Sequence, residues 1–228
     1  MIKKEIIHYL KQLNGDEIQE KLDIMNKINS TEIDINEFLC CMGDFTKCIS
    51  IGIGSLDNDY MTISNTIMMK WIEVIIEQPK IQIKYYDTLI LHFLDGLFYA
   101  LHDRISLYLS HIIELVSVSH VFITRHLSQL LNTIAFHIQT HSSEIIPIIT
   151  YILKNIEIPE LLWNEIVLFL YTLFHFSENI SEEMKHQIYE LFVFIQEKYT
   201  LLSFQYIKSY LSSLDIHDEK FIHFLDVK

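Results

Sequence analysis

Metal chemistry is the first possibility that the residue types raise, because the chain carries twelve histidines and thirty acidic side chains. His137 and His141, in the run HIQTH, stand four residues apart, and Glu144 follows three residues later. On one helix this spacing puts two imidazoles and a carboxylate within reach of a shared ion, as a catalytic zinc would require. The glutamate that acts as base in H-E-x-x-H is absent, since Ile138 occupies that position. Two Glu-x-x-His steps, Glu5/His8 and Glu183/His186, match the ligand step of four-helix di-iron proteins. No helix precedes Glu5 to supply the further carboxylate that such a centre needs. Cys40, Cys41 and Cys48 are odd in number and lack the paired spacing of a zinc site, so they read as reduced thiols. The stretch GIGSLDND, Gly52 to Asp59, lacks the Gly-Lys-Ser/Thr of a phosphate loop, and Asp57 with Asp59 gives too few oxygens for calcium. No Gly-x-Ser-x-Gly elbow is present.

A second candidate is the dipeptide His102-Asp103 at the end of FYALHD, with His111 nine residues on. It resembles the metal-binding run of HD-superfamily hydrolases, a resemblance that implies a catalytic metal at His102 and Asp103. The earlier histidine of that pattern falls, by count, among Ile72 to Glu77, where there is none, and His92 is the nearest. Arg104-Ile105 follows the pair where Gly-Lys is common. The simpler expectation is a joint between two helices, with Asp103 capping the second.

The elements that position these residues are helical. Apolar residues recur at i, i+3, i+4 and i+7 almost throughout, while strand-like alternation is scarce. The pattern predicts an N-terminal group over 1–42, with Asp16 capping a second helix and Asp34 a third. Three of the five glycines lie between Gly43 and Asp59, which predicts a loop over 43–59. Helices then follow over about 60–78, 84–101, 103–117, 119–140, 142–155, 159–177, 181–199, 200–214 and 217–226, with Ser181 as a cap and Pro147 in a first turn. The segments HFLDGLFYA, QLLNTIAFH and LFLYTLFHF align: Leu94, Leu131 and Leu170 share one place, Gly96, Thr133 and Thr172 another, and Leu97, Ile134 and Leu173 a third. Their period resembles that of HEAT and armadillo-like repeats. The expected fold is a single all-α domain over 1–228, with antiparallel helix pairs stacked as a short HEAT-like solenoid behind an N-terminal helical cap.

Composition narrows the function. Net charge is −13, with acids outnumbering bases in both halves and no Lys/Arg run, which argues against nucleic acid as a partner. Mean hydropathy is +0.23, yet the longest apolar runs, Ile145–Leu153 and Ile166–Phe176, are too short to cross a bilayer. With no signal-like stretch at the N-terminus, a cytoplasmic location is expected. Acids crowd the region Asp16 to Glu37, namely Asp16, Glu17, Glu20, Asp23, Glu32, Asp34 and Glu37. Together with Asp57 and Asp59 they form the expected docking surface for a basic protein. The leading expectation is a non-enzymatic binding module without cofactor, in concrete form an immunity or antitoxin-type protein. The alternatives are a helical metal-dependent hydrolase using His137, His141 and Glu144, or a scaffold that takes a peptide or small ligand in a concave groove.

Overall fold

The computed structural model describes residues 5–13, 17–32, 34–77, 79–118, 120–176, 181–199 and 203–226. The architecture is all-α: twelve α-helices and two short 3₁₀ turns occur, and no strand, among the described residues. Contacts cluster into two compact units, Met1–Phe122 and Ile123–Lys228, each described below by itself.

The first unit contains α1 (Glu5–Gln12), α2 (Ile18–Ser30), α3 (Ile35–Ile53), α4 (Asn58–Glu77), α5 (Pro79–Tyr99), a 3₁₀ turn (His102–Arg104) and α6 (Ile105–Val118). Helix α3 packs on α1, α4 and α5, and α6 packs on α4 and α5. At the α3–α4 crossing Phe38 stacks on Trp71 with centroids 3.8 Å apart, and Phe45 lies 4.8 Å from the same indole. Asp34 caps α3 as expected, accepting from the N–H groups of Asn36 and Glu37.

The expected loop over 43–59 is instead helix as far as Ile53, and only residues 54–57 form the turn into α4. The reason is packing. Phe38, Cys41, Met42, Phe45, Ile49, Gly52 and Ile53 make one unbroken buried stripe that includes Gly52 and runs past the exposed Gly43. A Cβ at Gly52 would sit 2.0 Å from Ser64 Oγ and 2.8 Å from Ser64 Cβ, so glycine is what lets α3 and α4 touch. Burial of the stripe outweighs the roughly 1 kcal/mol that each helical glycine costs relative to alanine.

The second unit contains α7 (His120–Ala135, from Ile123 onward), α8 (Ile138–Asn155), a 3₁₀ turn (Glu160–Leu162), α9 (Trp163–Phe176), α10 (Glu182–Lys198), α11 (Phe204–Ser213) and α12 (Glu219–Asp226). Helix α9 packs on α8, α10, α11 and α12. Ser181 caps α10 through the N–H of Met184, as its position predicts. Pro147 lies well inside α8 rather than in its first turn. The helix breaks earlier, at His141 (φ −131°, ψ 27°), and Pro147 belongs to the segment that resumes after this kink.

Candidate functional site

Arg104 organises one corner of the first unit. It is only 7% exposed, an unusual place for a guanidinium unless its donors are satisfied. Its Nε donates to the Ser55 carbonyl at 3.1 Å and its Nη2 to Asn58 Oδ1 at 2.7 Å. Nη1 lies 3.0 Å from Asp103 Oδ2, and the Arg104 backbone N–H donates to the Leu101 carbonyl. One side chain therefore fastens the 54–57 turn to the α5–α6 joint. The expectation that Asp103 caps the next helix is corrected here. Leu101 holds the cap position of the 3₁₀ turn with no side-chain bond, and Asp103 pairs with Arg104 instead.

Behind Arg104 the helices come very close. Tyr108 Oη donates to the Ser50 carbonyl at 2.5 Å, and Ser50 Oγ donates to the His92 carbonyl at 2.9 Å. A Cβ at Gly96 would meet Tyr108 Cε1 at 2.3 Å and Ser50 Oγ at 2.5 Å, so α5 approaches α6 on glycine. These contacts border a cavity of about 310 Å³ lined by Lys47, Ser50, Ile51, His92, Asp95, Tyr99 and Tyr108, among others. Burial pulls the His92 imidazole below its ordinary value, although Asp95 works the other way. The neutral ring is therefore favoured at pH 7.

Ile51 and Tyr99 of the cavity lining, with Leu56 and Leu101 of the turn and joint that Arg104 fastens, stand in solvent. Tyr99 is 80% exposed, Leu56 79%, Ile51 62% and Leu101 46%. Single exposed apolar residues are ordinary; these four come from the 54–57 turn, the ends of α3 and α5 and the joint that follows α5. Close to these residues in sequence, Asp59, Asp95 and Asp103 are exposed, and Asp57 is half-buried. Asp57 also accepts the Tyr60 N–H at 2.8 Å, which serves the first turn of α4.

The other expected docking residues divide. Glu17, Glu20, Asp23 and Glu32 are exposed, and Asp23 accepts a bond from Gln19 Nε2. Asp34 is occupied as a cap. Glu37 is 2% exposed and its Oε1 accepts the Ile7 N–H at 3.2 Å, so it ties α1 to α3 and is withdrawn from the surface. Asp16 lies outside the described residues.

The structure does not bring His137, His141 and Glu144 around one point. Residues 136–137 form a turn between α7 and α8, and His137 caps α8. The two rings stand 6.4 Å apart and nearly perpendicular, and His141 Nδ1 lies 2.7 Å from Thr140 Oγ1. The kink at His141 removes the regular helix on which the i, i+4 argument depends. His186 pairs with Glu190 at 3.3 Å. Among the described residues no group of three or more His, Cys, Asp or Glu side chains is placed to hold a metal ion.

Sequence reasoning missed Arg104, Tyr99 and Leu56. A signal existed for Leu56, a leucine inside the turn-forming run GSLDND where no helical stripe needs it. Comparison of the chain with protein-family models, with curated proteins and with solved structures finds no match.

Proposed function

We propose that the chain is a protein-binding module whose contact surface is the corner formed by Ile51, Leu56, Tyr99 and Leu101, together with Asp57, Asp59, Asp95 and Asp103. The observation that carries this reading is the exposure of those four apolar side chains on a corner held in place by Arg104. An aromatic anchor with aliphatic neighbours and a charged rim is the composition of an interface hot spot. The four carboxylates and the net charge of −13 favour a basic partner and fast capture. Its most concrete form is an immunity or antitoxin-type protein that neutralises a basic toxin by direct binding. Binding proceeds by surface complementarity, with no chemical step.

The HEAT-like reading belongs to the same proposal. Leu94, Leu131 and Leu170, and likewise Leu97, Ile134 and Leu173, are all buried. Thr133 and Thr172 each donate to the carbonyl four residues earlier. Equivalent places thus have equivalent surroundings within their own helices, which supports a repeat.

The product of the neighbouring reading frame is the partner to test. Its association with the full chain, followed by surface plasmon resonance, is expected to slow as salt rises. Tyr99→Ala and Leu56→Asp are each expected to weaken it about tenfold or more. An association rate indifferent to salt, or full affinity in both variants, overturns the reading. Failure of that product to bind overturns the toxin form of it.

A further inference from the structure

We infer that the first unit also holds a small-molecule site, a groove of about 550 Å³ in which Lys11, Lys21 and Lys47 converge on a phosphate monoester with an apolar body. The inference does not rest on the protein-binding surface. In sequence these lysines are far apart, on α1, α2 and α3, and no basic run announces them. The fold gathers them on one concavity of an acidic chain.

Four lysines elsewhere have side-chain partners. Lys185 pairs with Glu182 and Lys208 with Asp226. Lys70 donates to the carbonyls of Asn29 and Thr31, and Lys198 to those of Leu153 and Ile156. The side chains of Lys11, Lys21 and Lys47 make no hydrogen bond or ion pair among the described residues. Among the described residues Asp44 is the one carboxylate in the groove lining, an excess there of two positive charges. That excess matches a phosphate monoester, which carries about −1.5 to −2 at pH 7, and lysine serves such groups as a point charge. Lys47 already exerts this field on its neighbours, since it works to lower both the Cys48 thiol and the His92 imidazole.

Much of the remaining lining is apolar. Leu10, Leu13 and Tyr60 line the groove and are each 7% exposed. Burial pushes the Tyr60 hydroxyl up to about 12, so this part offers no anion to repel a ligand. Cys41 and Cys48 also line it, and burial raises both thiols, Cys41 to about 12. They remain protonated near neutral pH and act as walls rather than nucleophiles. The volume lies inside the range of about 300–1,000 Å³ usual for ligand sites.

The test titrates the full chain at low salt with phenyl phosphate, followed by calorimetry. Saturable one-to-one binding is expected. Lys21→Gln and Lys47→Gln are each expected to weaken binding about tenfold, and none of the three lysines is buried, so the variants should keep the parent melting curve. Inorganic phosphate and benzyl alcohol, each lacking half of the ligand, are expected to bind at least about tenfold more weakly. Absence of saturable binding overturns the inference, as does affinity unchanged in the Lys11→Gln/Lys21→Gln/Lys47→Gln variant. Equal affinity for inorganic phosphate overturns the apolar half of the assignment.

Discussion

The two units bury different things. In the first, Glu37, Thr46, Ser50, Ser64, Arg104 and His111 are all buried; in the second, among the described residues, only Thr133 and His141 are polar and buried. The first unit sets helix positions with directional bonds, such as Arg104 to Ser55 and Tyr108 to Ser50, and with glycines that admit one helix to another. The second relies on overlapping rings: Phe221 lies within 6 Å of Tyr171, Phe174, Phe192 and Phe224. Apolar overlap is strong but tolerant of small shifts, whereas a buried polar group is costly unless its partner is in place. The lesson is that geometry is most tightly specified in the unit that carries the candidate surface and groove. A site needs that kind of support.

The comparison breaks most visibly in the second unit. Phe221 is 1% exposed, so Phe221→Ala removes a ring with no polar substitute and leaves a cavity. A loss of about 3–5 kcal/mol is expected from denaturant titration. Phe221→Leu, which keeps most of the volume, is expected to cost much less. Equal losses in the two variants would mean that shape, not volume, governs this core.

In the first unit the matching test is pH. His111 is 0% exposed; its Nε2 lies 2.7 Å from Asn65 Oδ1, and Nδ1 has no partner within hydrogen-bond range. Asn65 as acceptor puts the proton on Nε2. Burial lowers the imidazole from 6.5 to about 4. The folded state therefore keeps His111 neutral, while the unfolded chain takes up a proton below about pH 6.5. The stabilisation is complete above that value and is lost as pH falls toward 4, by about 3 kcal/mol at most. Glu114, 3.9 Å away, acts with the opposite sign, because burial and the nearby Glu73 raise its carboxyl. The cleaner measurement is therefore the difference between the parent and His111→Gln across pH 7 to 4. Parallel stability curves for the two would remove His111 as a source of acid sensitivity.

How far the sequence disclosed this molecule depends on the range of the interaction. Helix positions were legible because apolar periodicity and caps are local: Asp34 and Ser181 cap as predicted, and α9 and α10 begin within a few residues of their expected starts. A turn reaching Asp57 was legible, but Asp59 proved to lie in the first turn of α4. Arg104 was not legible, since its value comes from Ser55 and Asn58, 49 and 46 residues away. Nor was the lysine groove, whose members lie on three helices. The metal reading of His137 and His141 failed because it assumed a regular helix through a backbone turn. The error over 43–59 came from weighing glycine composition above the stripe from Phe38 to Ile53, which was already present in the sequence.

That error suggests the finest comparison, between two glycines of the same helix. At Gly52 an added Cβ would meet Ser64 Oγ at 2.0 Å, and Ser64 is fully buried with its hydroxyl bonded to the Tyr60 carbonyl. Ser64 has little room to retreat, so Gly52→Ala is expected to force α3 from α4 and to cost about 1–3 kcal/mol. At Gly43 the nearest atom, Thr88 Cγ2, lies at 3.8 Å, an ordinary contact. Gly43→Ala therefore gains helix propensity without a clash and is expected to stabilise by about 0.5–1 kcal/mol. Melting curves of the two variants should move in opposite directions. If both rise, the α3–α4 crossing has slack that the Gly52–Ser64 contact does not show; if both fall, residues 43–53 gain nothing from helix propensity.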